Sequence, residues 1–219
     1  MNTETQARGG KRKLINAIYV LLSLTLIFLY IAPTPGNNIF SGISAYFSSL
    51  GGTKSPLAVQ RDSASKACQI VGIGTFAERN LDIPYEIEGY RVTSIGDSAL
   101  RGQDLLANVS IHGDIYAIGN YTFADCRELS TVTVENGTQI IGIYAFMNCG
   151  YLSTISLPST LTYIGRGAFL GCSNLKEIHF GGTVEKWHSI ASATAWNENN
   201  FSCTVYCIDG EISAKSEIA

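Results

Sequence analysis

The stretch LSTISLPSTLTYIGRGAFLGC, residues 152–172, is one turn of a repeating pattern. Its landmarks return every 23 residues. Ile-Gly pairs stand at 95–96, 118–119, 141–142 and 164–165. The same step links Leu100, Phe123, Phe146 and Phe169, then Leu106, Leu129, Leu152 and Leu175. It also links Val109, Val132, Ile155 and Ile178, then Ile111, Val134, Leu157 and Phe180. Cys126, Cys149 and Cys172 keep the register, with Gln103 in their slot of the first copy. Self-similarity at a fixed short period marks a solenoid. One such unit cannot bury its own apolar side, whereas stacked units share a continuous core.

Each unit ends in apolar-polar-apolar alternation, the pattern of a half-buried strand. Stacking then pairs these short strands in parallel at ~4.8 Å. The glycine after each isoleucine suits a tight bend. The following Thr122-Phe123, Ala145-Phe146 and Ala168-Phe169 steps fit a short helical turn that drops a ring inward. The expected fold is a β-rich α/β repeat solenoid, wound as a right-handed superhelix. Its core columns hold Ile118, Ile141 and Ile164, Phe123, Phe146 and Phe169, Cys126, Cys149 and Cys172, and Leu129, Leu152 and Leu175.

Working outward, 219 residues at 46% hydrophobic and 15% charged exclude a disordered polyelectrolyte. The formal net charge is −3, and basic residues cluster only near the N-terminus, which argues against a nucleic-acid binder. Arg8, Lys11, Arg12 and Lys13 precede LINAIYVLLSLTLIFLYIA, residues 14–32, which carries no charge. As a helix it would span ~28 Å, close to the ~30 Å hydrocarbon core. Tyr19 and Tyr30 sit near its ends, where interfacial rings belong. Cations before the apolar run keep the N-terminus cytoplasmic and send the remainder across. An uncleaved anchor and a cleaved signal peptide stay open. Cleavage after Ala32 would leave Tyr30 at the −3 position, and the run exceeds the usual ~7–15 residues of a signal peptide. Beyond Lys13, 11 basic and 17 acidic residues remain, a net charge of −6.

The expected organisation is a basic cytoplasmic tail over 1–13, the membrane segment over 14–32 and a linker over 33–66. An N-terminal opening unit follows over 67–96, repeats over 97–180, and a closing module with tail over 181–219.

The repeat resembles the BspA-type leucine-rich repeat. That family's unit runs from leucine through isoleucine and an apolar-proline step to isoleucine-glycine, alanine-phenylalanine and cysteine. Residues 152–172 follow it closely, and IGNYTFADC and IGIYAFMNC follow its second half. Proline is kept only at Pro158; His112, Glu135 and Gly181 replace it elsewhere. LDIPYEIEGYRVTSIG, residues 81–96, is similar to the family's opening unit, with extra residues around Glu88-Gly89 that predict a longer turn. FGGTVEKWHSI and TVYCIDG are similar to its closing module, with Thr183 as a helix cap and Trp187 in the slot of Ile164. The resemblance implies surface interaction, such as adhesion to proteins of a host or a neighbouring cell.

No catalytic, metal-binding or cofactor pattern stands out. The cysteines lack Cys-x-x-Cys spacing, and His112, His179 and His188 lack a metal spacing. No nucleophile elbow or phosphate loop is present. The sequence instead offers an outward strand face. Asn108, Thr131, Thr154 and Glu177 form one column, and Ser110, Thr133, Ser156 and His179 the next. Such a face is a solenoid's usual binding surface, although threonine and serine are also ordinary solvent-side strand residues. The expected function is protein binding or adhesion outside the cell. An envelope spacer without a ligand and a secreted hydrolase are the alternatives.

Overall fold

A computed structural model describes residues 57–73, 78–191, 195–197 and 202–214. The expected membrane segment over 14–32 lies outside them. Among the described residues, no helix is long and apolar enough to cross a membrane.

Every coil of the repeat supplies one strand to each of two sheets. The first sheet runs β1 (Leu57–Asp62), β2 (Ala67–Ile73), β5 (Tyr90–Ile95), β7 (Ala117–Ile118), β9 (Ile140–Ile141) and β11 (Tyr163–Ile164), with β4 (Glu86–Ile87) paired to β5. The second runs β3 (Asn80–Asp82), β6 (Asn108–Ile111), β8 (Thr131–Val134), β10 (Thr154–Leu157), β12 (Glu177–Phe180), β13 (Cys203–Cys207) and β14 (Gly210–Ala214). The strands from β3 to β13 in this second sheet are all parallel, one per coil, and β14 closes the edge antiparallel.

Equal positions in successive coils stack, so the 23-residue columns become files of side chains. Phe123, Phe146 and Phe169 have no solvent exposure. Their rings stack at 5.2 and 5.5 Å, tilted by only 4° and 7°. Each buried ring contributes roughly 1.5–3 kcal/mol, and stacking adds ~0.5–1.5 kcal/mol. The files of Ile118, Ile141 and Ile164 and of Leu129, Leu152 and Leu175 are buried beside them.

The turns differ from expectation in two ways. First, the segments carrying the phenylalanines are successive turns, not helices. Their i to i+3 bonds, such as Cys126 N–H to Phe123 O at 3.2 Å, never propagate. Instead Phe123 N–H donates to Ala145 O at 2.7 Å and Phe146 N–H to Ala168 O at 2.8 Å, so the next coil takes the bonds a helix would keep. Among the described residues the one α-helix, α1 (Val184–Ala191), lies in the closing module, and the repeats themselves are not α/β.

Second, the glycine after each isoleucine is not there for a tight bend. The left-handed backbone falls two and six residues later. It occurs at Ser98, Tyr121, Tyr144 and Gly167 (φ 55–58°) and again at Gly102, Asp125, Asn148 and Gly171 (φ 61–77°). Gly119, Gly142 and Gly165 serve close approach. A Cβ on Gly142 would sit 2.5 Å from Gly119 C and 2.6 Å from Asn120 N.

The linker expected over 33–66 ends sooner than its composition suggested. Residues 57–62 form β1 and pair antiparallel with β2 through a turn at 63–66. An exposed edge would leave the β2 backbone unpaired, and this hairpin covers it. Asp62 organises the turn, accepting from Ala64 N–H at 2.9 Å and Ser65 O–H at 2.6 Å. The extra residues at Glu88-Gly89 form a hairpin turn between β4 and β5, with φ of 53° and 81°.

At the far end Thr183 Oγ1 accepts from Lys186 N–H at 3.2 Å and caps α1. Trp187 is buried edge-on against Phe180 at 5.3 Å. Trp196 then closes the phenylalanine file, meeting Phe169 at 5.9 Å and 87°.

Candidate functional site: the outer face of the second sheet

Alternation along β6, β8, β10 and β12 sends Val109, Val132, Ile155 and Ile178 inward and their neighbours outward. Register places Asn108, Thr131, Thr154 and Glu177 in one row across the strands. Ser110, Thr133, Ser156 and His179 form the second row. The sequence-derived positions therefore come together on one surface.

That surface is longer than the 23-residue step reveals. Asn80 and Asp82 extend the rows at one end, paired to Asn108 and Ser110. Thr204 and Tyr206 extend them at the other, paired to Glu177 and His179. The spacing there is 28 and 27 residues, because the β4–β5 hairpin and α1 insert extra chain. Counting back from Asn108 with the five additional residues near Glu88-Gly89 would have found Asn80. Nothing in the spacing alone points to Tyr206.

The face separates two kinds of hydroxyl. In the turns, Thr122, Ser130, Thr138, Ser153 and Thr162 donate to backbone carbonyls of the preceding coil, at 2.7–3.3 Å. These hydroxyls are used in stacking. On the strand face, Thr131 Oγ1 donates to Asn108 Oδ1 at 2.5 Å, and Asn108 Nδ2 donates to Asn80 Oδ1 at 2.7 Å. Among the described residues, Ser110, Thr133, Thr154 and Ser156 find no side-chain hydrogen-bond partner. Their donors and acceptors face solvent.

Aromatic rings bracket these free hydroxyls. His179 stacks on Tyr206 with centroids 5.1 Å apart, and its Nε2 lies 3.1 Å from Glu177 Oε2. At the other end Tyr85 stacks on His112 at 4.2 Å. Tyr85 O–H donates to Glu135 Oε2 at 3.4 Å. Just past the strand ends lies a cleft of about 410 Å³ lined by Val134, Glu135, Asn136, Leu157, Pro158 and Gly181. It opens where Gly181 contributes no side chain.

The cysteines take no part in this surface. Cys126, Cys149 and Cys172 are fully buried, and each thiol donates to the preceding coil, to Leu100 O, Phe123 O and Phe146 O, all at 3.1 Å. Burial pushes the Cys126 thiol up to about 11. The adjacent Cys172 thiol, together with burial, raises Cys149 well above the ordinary range. All six cysteines are free thiols, and Cys207 is the least buried. A thiol reagent at neutral pH is therefore expected to label Cys207 first. Cys126, Cys149 and Cys172 should react only after denaturant is added, as peptide mass spectrometry of the quenched reaction would show. Rapid labelling of Cys149 in the folded protein would contradict the file. No group of three or more His, Cys, Asp or Glu among the described residues is placed to hold a metal.

A family profile, the BspA type leucine rich repeat region, matches residues 73–211 in six copies. The chain belongs to that family. Its BspA-type repeats thus number two more than the four with clean 23-residue spacing, and the coils of β3 and β13 are the irregular ones. A search of curated proteins returns no match. Among solved structures, a leucine-rich repeat protein of T. pallidum is 19% identical with a TM-score of 0.45, over 62% of this chain and 77% of that one. One from Bacteroides capillosus is 20% identical with a TM-score of 0.48, over 58% of this chain and 96% of that one. A leucine-rich cell surface protein from Faecalibacterium prausnitzii is 21% identical with a TM-score of 0.46, over 62% of this chain and 41% of that one. The family assignment rests on the profile.

Proposed function

We propose that this BspA-type repeat protein is held at the cell membrane by residues 14–32 and binds a protein outside the cell through the outer face of its second sheet. The observation that carries the reading is the division of labour among hydroxyls. Turn hydroxyls are used in stacking, whereas Ser110, Thr133, Thr154 and Ser156 lie on one continuous surface with no hydrogen-bond partner among the described residues. Strand geometry fixes these groups at regular spacing without ordering cost, and such preorganisation favours binding. The placement outside the cell rests on the cations of 8–13 ahead of an uncharged run of membrane length.

The test is a combined variant, Thr131→Lys, Thr133→Lys, Thr154→Lys and Ser156→Lys, displayed on intact cells beside the unaltered chain. All four side chains point to solvent, so far-ultraviolet circular dichroism should be unchanged. Proximity labelling from the repeats is expected to give a reproducible set of neighbours that the variant loses. An identical set from both proteins would reject the face as a binding surface. Mass spectrometry of the mature N-terminus reports on the anchor. Recovery of residues ahead of Leu14 in the membrane fraction supports it, and a mature chain starting beyond Ala32 in the medium overturns it.

A further inference from the structure

The proposed binding face carries one sign of charge, and this identifies the class of partner. Two outward positions on each strand from β3 to β14 give rows that include Asp82, Glu177 and Glu211 and no lysine or arginine. Three of the arginines elsewhere are paired locally. Arg61 pairs with Glu88, Arg91 with Asp114 at 3.6 Å and Arg101 with Asp125 at 2.8 Å, all away from this face. Among the described residues, Glu177 has only the His179 ring at 3.1 Å, and the carboxylates of Asp82 and Glu211 engage no side chain. Tyr206, 37% exposed and stacked on His179, offers an open ring beside them, a surface that attracts cations.

We propose that this face docks an extended segment of a protein partner bearing lysine or arginine, laid across the strands. The inference rests on the binding role argued above. Asp82 and Glu177 lie four strands apart, ~19 Å, and Glu211 two strands further, ~10 Å. At ~3.3 Å per extended residue, matching cations fall about six and then about three residues apart. Between them the free hydroxyls of Ser110, Thr133 and Ser156 meet the segment's backbone groups.

The test uses the full chain at neutral pH and low salt, with fluorescence anisotropy of a labelled serine-glycine peptide carrying lysines at those spacings. A peptide with glutamate in place of lysine is the control. The lysine peptide is expected to bind, and the glutamate peptide is not. Neutralising the face with Asp82→Asn, Glu177→Gln and Glu211→Gln should weaken binding about tenfold. Neutralising Glu86, Asp104 and Glu128, which lie elsewhere, should leave it unchanged. Equal weakening by both triple variants would show diffuse attraction to an acidic protein and overturn the proposal. So would binding of a neutral hexasaccharide where the lysine peptide fails. The two readings fail separately. If the lysine peptide does not bind while the four-lysine variant still loses its cell-surface neighbours, the cationic class alone is rejected. If that variant keeps its neighbours, the face itself is rejected.

Discussion

Phe146→Asp is expected to unfold the repeat array. The ring has no solvent exposure and lies between Phe123 at 5.2 Å and Phe169 at 5.5 Å. Truncating such a ring alone costs about 3–5 kcal/mol. A carboxylate in its place would lie between two apolar rings in a buried core, and an unpaired buried charge costs several kcal/mol more. A domain's whole stability is ~5–15 kcal/mol. The variant should lose its cooperative melting transition by circular dichroism at ambient temperature. Phe146→Leu keeps an apolar filler and should remain folded with a lowered Tm. An unchanged melt for the aspartate variant would mean that the three rings do not form one file.

Gly142→Ala comes second, and a single methyl group is enough. The new Cβ would lie 2.5 Å from Gly119 C and 2.6 Å from both Gly119 O and Asn120 N. These are backbone atoms, so no rotamer relieves the clash. Nor can the coils move apart freely, because Gly142 N–H donates to Ile118 O at 2.8 Å and Gly165 N–H to Ile141 O at 2.8 Å. Overpacking of this kind typically costs about 1–3 kcal/mol, and a clash with backbone belongs at the upper end. Gly150 is the internal control, since a Cβ there meets nothing within 4 Å. Gly150→Ala should stay within about 0.5 kcal/mol of the unaltered protein. Urea unfolding of the pair measures the difference, and equal midpoints would refute the close approach.

The two substitutions mark how far the sequence could be read. Phe146 was recognisable as core because stacking carries an equal position into the same place one coil on. The role of Gly142 was not. Its φ is unexceptional, and the need for glycine comes from the backbone of Gly119, a neighbour in space 23 residues away. Asn80, Tyr206 and Trp196 were missed for a related reason. They occupy the same rows and files as the repeats, but the β4–β5 hairpin and α1 break the count that would reveal them.

The same limit applies to the candidate site. Thr131 and Thr133 could be assigned outward from alternation alone. That Thr131 is bonded to Asn108 while Thr133 is free depends on which side chain stands across the strand. The vacant slot at Gly181 beside Pro158 becomes a cleft only when the two coils are superposed.

The period, the shared interior and the existence of an outward polar wall are legible in the chain order, because translation by one coil maps like residues onto like. Which glycines are indispensable, which hydroxyls stay available and where the wall ends follow only from the folded coils. Each of those depends on atoms brought within a few ångströms by stacking, and the chain order does not record that proximity.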